Sequence, residues 1–241
     1  MNKKVVISTV VIAVIIISAT FMFMNRPESR TSSDVSTKPF IVANPLDLSQ
    51  IEELSKFRSC VGHDYSGKNI NGETETLRSM KHYIDYKKSL SPSGVKIFAP
   101  FDGKIREASN NNPGQLVYIS PDAASSWNFI FFHVKLLSEL DKGSEVQAGQ
   151  HIGYVTSGAI NNFDIALRRF GFGGQVTDSP FYYMSDKVLA EYVTFGITLT
   201  NIVVTKEVRD SNPCPIEPGT ESKYDTFFTS GDRPEDWVTL N

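Results

Sequence analysis

The sequence predicts a mainly β, antiparallel domain with short flanking helices, preceded by one transmembrane helix. Three observations carry this. An uncharged run of twenty residues lies near the N-terminus, short apolar runs punctuated by Gly, Pro and Asn fill the chain from Phe57, and one clear helical pattern comes late. The 241 residues are 40% hydrophobic and 21% charged, enough apolar matter for a sizeable core, which excludes disorder, collagen and coiled coil. A formal net charge of −3 leaves no basic excess to neutralise phosphates, so nucleic acid is not an expected partner.

Residues 5–24, VVISTVVIAVIIISATFMFM, contain no charge. A helix of that length crosses the roughly 30 Å hydrocarbon layer of a membrane. Lys3 and Lys4 precede the run and only Arg26 soon follows, so the positive-inside bias keeps the N-terminus cytoplasmic and places the rest outside. The expected protein is single-pass, with residues 1–24 as cytoplasmic start and anchor. A cleaved signal peptide is the rival reading, but its apolar stretch is usually shorter and no clean A-x-A site follows. Residues 25–45 are polar and rich in Ser, Thr and Pro, the composition of a linker.

Ser49 and Glu52 stand at capping-box spacing, and Leu46, Leu48, Ile51 and Leu54 form an apolar stripe, so a short helix is expected there. The expected β domain spans 46–180. Its strands are read at 95–98, 103–107, 115–119, 128–134, 151–155 and 163–167, with the loop Asn110 to Gly114 (NNNPG) as a hairpin turn. Gly103, Gly143 and Gly149 are expected to supply positive-φ turns. A C-terminal extension, 181–241, begins with a helix at 185–194, with its Ser cap and three-to-four apolar spacing, and continues with a strand at 197–205.

The segments VKIFAPFDGKIREA and FFHVKLLSELDKGSEVQAGQHIGYV resemble the lysostaphin-type zinc metallopeptidases, also called LytM or duplicated-hybrid-motif endopeptidases. Gly94, Val95, Ala99, Pro100, Gly103 and Ile105 match the family's first strand pair. Phe131, His133, Val134, Gly143, Val146, Gly149, Ile152 and Gly153 match its Tyr-x-His-Leu and following glycine hairpin. The resemblance covers roughly residues 57–170 and implies a small antiparallel β barrel or sandwich. Lipoyl and biotinyl carriers share the Ala-Pro-x-x-Gly-x-Val pair, but the exposed hairpin lysine they need is not found in such a motif here.

The resemblance also implies a metal site, and there the residues depart. The family binds zinc through His-x-x-x-Asp and the second His of His-x-His, leaving a fourth position for water. Its first His falls on Lys81 and its Asp on Asp85. Its His-x-His falls on Asn162 and Asp164. Two readings follow. In one, Lys81, Asp85, Asn162 and Asp164 form a pseudo-site, in which an ammonium between Asp85 and Asp164 replaces the ion and no cofactor is expected. In the other, zinc is held by His82, Asp85 and Asp164 with His133 as the catalytic imidazole, although residues three apart on a regular strand face opposite ways. His63 and Asp64, in the Gly-flanked stretch 60–67, are a candidate second cluster or an Asx-type turn.

The expected function is therefore an anchored, extracytoplasmic domain with a metallopeptidase-like fold, catalytically degenerate, holding a cell-envelope peptide, glycan or protein in the former groove. The alternatives are an active zinc endopeptidase with unusual ligands and a structural domain without a ligand. Cys60 and Cys214, the two cysteines of the chain, both lie beyond the anchor in a compartment expected to be oxidising, which predicts a disulfide between them.

Overall fold

The computed structural model describes residues 39–156, 162–171, 174–220, 226–229 and 233–241. The expected membrane anchor, 1–24, and most of the expected linker, 25–45, lie outside the described residues. Among those described, no helix is long and apolar enough to cross a membrane.

Among the described residues, eleven strands, all paired antiparallel, form one continuous sheet system. They are β1 (Ile51–Ser55), β2 (His82–Tyr86), β3 (Lys96–Phe98), β4 (Gly103–Asn110), β5 (Gln115–Pro121), β6 (Trp127–Leu136), β7 (Glu145–Val146), β8 (His151–Val155), β9 (Asn162–Gly171), β10 (Gly174–Asp178) and β11 (Trp237–Thr239). The path runs β11-β1-β2-β9-β6-β5-β4-β7, with β10 added to β9 and β8 joining β3 to β6. The six strands expected from alternation are all present. Their inward side chains, Ile97, Ile105, Val117, Ile119, Phe129, Phe131, Ile152, Phe163 and Ile165 among them, build one core.

The expected helix over 46–54 is instead a turn of 3-10 helix, Leu48–Gln50, followed by β1. Asp47 rather than Ser49 caps it, its side chain accepting from the Ser49 amide. A register shift between Ile51 and Glu53 lets Ile51 and Leu54, three apart, both face the core. A bulged strand thus reproduces the spacing of a helix stripe. The expected strand at 197–205 is also absent. Thr198 and Asn201 bond each other's backbone and side chains, closing a local turn that competes with ladder pairing. The helix expected at 185–194 is present as α1 (Asp186–Thr194), capped by Ser185, and a short α2 (Lys206–Ser211) follows, capped by Thr205.

Gly143 and Gly149 take positive φ as expected, at 97° and 78°. Gly103 has a different reason. A Cβ there would lie 2.2 Å from the Ser120 carbonyl oxygen, so the glycine allows β4 and β5 to approach closely.

The segment beyond α1 is fastened by charge and by a covalent bond. Arg209 donates to Asp236, to the Arg58 carbonyl and to the Asn212 carbonyl, while Asp236 accepts from the Cys60 amide. Glu75 is gripped by both Arg58 and Arg78, and Arg78 reaches on to Asp210. Cys60 and Cys214 are joined in a disulfide, with Cα atoms 5.2 Å apart and a sequence separation of 154. Replacing both cysteines by serine is expected to lower unfolding free energy by about 2–5 kcal/mol, since a long loop in the unfolded chain is no longer closed. Urea titration checks this, and an unchanged midpoint refutes it.

Candidate functional site

The site follows from strand register. β2 and β9 lie side by side with Tyr83 opposite Asp164 and Asp85 opposite Asn162, and on the far side of β9 Phe132 of β6 stands opposite Asp164. Residues directly opposite in a ladder share a face. Tyr83, Asp85, Asn162, Asp164 and Phe132 therefore project to one side of the sheet, and Lys81, two residues before Tyr83, joins them.

Lys81 Nζ donates to Asp164 Oδ2 at 2.5 Å and to His63 Nε2 at 3.2 Å. Its side chain is 3% exposed and that of Asp164 is 1% exposed, so the pair is out of water. Three rings enclose the ammonium, with Nζ 4.9 Å from the centroid of Tyr65, 4.6 Å from Tyr83 and 4.7 Å from Phe132. Desolvated ring faces attract a cation by about 2 kcal/mol each. Burial alone would lower the affinity of Lys81 for its proton. Asp164, with Tyr83 and Tyr65, outweighs burial and holds the group above its ordinary value, so it stays charged.

His63 is held in one tautomer. Its Nδ1 donates to the Asp64 carbonyl at 3.1 Å, leaving Nε2 free to accept from Lys81. Burial and then the Lys81 charge lower its pKa, which keeps the imidazole neutral. Asp64 does not join it at a site. Its carboxylate closes an Asx-type turn onto the Ser66 amide and hydroxyl. The expected second cluster thus divides: His63 belongs to the Lys81 site, and Asp64 shapes the loop that carries it.

His82 lies on the opposite face. Nδ1 donates to the Ser55 carbonyl at 2.7 Å, Nε2 accepts from the Ser179 hydroxyl at 3.0 Å, and the ring packs against Phe57 and Phe181. Burial lowers its pKa to about 4 against the opposing Ser55 bond. The set His82, Asp85 and Asp164 does not converge, because regular alternation in β2 sends its members to two sides.

His133 is also turned away. It sits at a positive φ of 58° where the β5–β6 register shifts, and its Nδ1 faces the carbonyls of Asn111 and Pro113 in the hairpin loop. The side chain from this strand that meets the Lys81 site is that of Phe132. Asp85 is likewise outside the ion pair: it hydrogen-bonds Asn162 and lies opposite Glu53 of β1. Lys81 is expected to bridge Asp85 and Asp164; its ammonium contacts Asp164, while Asp85 bonds Asn162.

Four residues at the site carried no motif. Tyr65, Tyr83 and Phe132 are the rings of the enclosure, and Arg168 lies 4.2 Å over Tyr65, where Gln175 accepts from its guanidinium. Tyr83 and Phe132 could have been placed by alternation from Lys81 and Asp164, but Tyr65 arrives on a loop whose path no local pattern encodes. Gly62, at φ 70°, is needed here, since a Cβ would fall 2.1 Å from the Tyr83 hydroxyl oxygen.

A zinc ion does not fit these residues. The first ligand position is an ammonium with no lone pair to give, and the nearby imidazole nitrogen is committed to it. Among the described residues no group of three or more His, Cys, Asp or Glu side chains is placed to hold a metal.

Asp85 supplies a pH test. Burial first, then Glu53, raises its pKa from 3.8 to about 6, and its Oδ1 is buried without a hydrogen-bond partner. A carboxyl with a raised folded pKa favours the folded state when protonated, so stability is lost as pH rises from about 4 through about 6. Asp85→Asn is expected to melt several degrees higher than the parent at about pH 7 and at the same temperature below about pH 4. Equal melting at both values refutes the assignment.

The model of peptidase family M23 matches residues 84–166. No curated protein matches the chain. Among solved structures, the chain is similar to Csd3 of Helicobacter pylori, with 17% identity over 61% of this chain and 35% of that one and a TM-score of 0.40. A zinc-containing peptidase from Vibrio cholerae gives 13% identity over 60% and 39%, with a TM-score of 0.37. The complex of SpoIIIAH and SpoIIQ gives 16% over 59% of this chain and 99% of that chain, with a TM-score of 0.40. The chain thus spans well under half the length of the first two. The matched segment runs from β2 into β9, and over those residues, 84–166, the chain is similar to peptidase family M23.

Proposed function

We propose that this is a membrane-anchored, extracytoplasmic M23-type domain that has exchanged catalysis for binding, and that it holds a cell-envelope peptide, glycan or protein on the face built by β2, β9 and β6. The observation that carries the reading is the Lys81 ammonium, seated on Asp164 and enclosed by three rings, at the family's first ligand position. An ammonium donates hydrogen bonds but is no Lewis acid and cannot lower the pKa of water to about 7 as zinc does. Tyr65 and Arg168 beside it offer a ring and a guanidinium, groups that suit a sugar or peptide carboxylate. The anchor at residues 5–24 supports the location.

Two measurements test this. The purified protein is expected to melt at the same temperature with and without EDTA, and to leave cell-wall peptides uncut when zinc is added. A ligand that binds only the folded state stabilises it by mass action, so a loss of several degrees on chelation, or zinc-dependent hydrolysis, establishes the endopeptidase instead.

Lys81→Met should remove the counter-charge of a buried carboxylate, at a cost of about 3–5 kcal/mol. Surface lysines cost far less. A variant whose urea midpoint matches the parent refutes the buried ion pair.

A further inference from the structure

Lys81 and Asp164 are a buried amine and a buried carboxyl in direct contact, reaching toward each other from neighbouring strands. Nζ stands 2.5 Å from Asp164 Oδ2, a contact that holds the amine against the carboxyl group whose Cγ lies one bond beyond, and both side chains are closed to solvent. The enclosure by Tyr65, Tyr83 and Phe132 excludes water and makes a separated charge pair expensive. A third group that can carry a proton, His63 Nε2, touches the same nitrogen at 3.2 Å, and His63, like Tyr65 and Phe132, is partly exposed.

Resting on the reading of this position as an ammonium site, we propose that Lys81 Nζ and Asp164 Cγ condense to an intramolecular amide, joining the start of β2 to β9 covalently. The step balances within the chain. The ammonium passes one proton to His63 Nε2, and the freed nitrogen lone pair forms the N–C bond. One carboxylate oxygen then takes the proton back from His63 and a second from the nitrogen, the C–O bond breaks, and one water leaves. No oxidant, nucleotide or metal is consumed, and a positive and a negative charge disappear together from a dry site. Because Asp164 keeps the ammonium protonated, the free amine is scarce, so closure is slow and occurs once per chain rather than as turnover. The neutral, single-tautomer form of His63 is what the relay requires, an acceptor at Nε2 with Nδ1 already engaged by the Asp64 carbonyl.

The test is a tryptic digest of the full chain, reduced and denatured, read by mass spectrometry. Acylated Lys81 resists cleavage, so the expected product is residues 79–87 cross-linked to residues 143–168, lighter than their sum by one water. Lys81→Arg, which keeps the charge but cannot form this bond, should be cleaved at position 81 and give residues 79–81, 82–87 and 143–168 unlinked. His63→Gln, which keeps both reacting groups, should show the linked species only in part when fresh and more of it on incubation. Recovery from the parent protein of residues 79–81 with a free Lys81 amine overturns the amide. In that event a strong destabilisation by Lys81→Met still upholds the ion pair, so the two readings fail separately.

Discussion

The Lys81–Asp164 pair is the constraint around which this face of the sheet is arranged. A charge pair removed from water costs several kcal/mol per ion, and only close geometry with further partners offsets that. Each neighbour answers part of the requirement. His63 accepts one ammonium proton, three rings present their negative faces, and Gly62 leaves the space in which Tyr83 stands. Asp164 needs the opposite placement, at the centre of the ladder between β2 and β6, where it meets Lys81 and not the solvent.

The same pair is the reason a zinc ion does not fit these residues. Zinc needs lone pairs converging on one point, whereas an ammonium needs lone pairs converging on its hydrogens. His63 and Asp164 serve the second geometry. The remaining histidines are taken up elsewhere, His82 between Ser55 and Ser179 on the other face, His133 at a hairpin loop and His151 on the Gly153 carbonyl. The site is a charged and aromatic face of the sheet.

Much of the fold was legible because period-two alternation and glycine spacing act locally. The runs around Ile105, Val117, Phe131 and Phe163 all became strands with those residues inside. Ile51 and Leu54 misled because a bulge restores one face at a spacing of three, which a helix also uses. Residues 197–205 misled because Thr198 and Asn201 satisfy the backbone locally. At the site, the exchange of His for Lys81 was readable from the matched motif, and so was its pairing with Asp164. The choice of His63 over Asp85 as second partner was not, because it depends on the path of the 60–67 loop, fixed by contacts with distant segments. Phe228, Cys214 and Asp236 all bear on that loop.

β11 lies along β1, though nearly the whole β domain separates them in sequence. During synthesis the outer edge of β1 therefore stays open, its amides and carbonyls unpaired, until residues 237–239 have emerged. An open strand edge is a template for pairing with other chains. For this protein the hazardous interval is the time between the appearance of the first strand and the arrival of its last partner, and any helper that shields a nascent edge would act there.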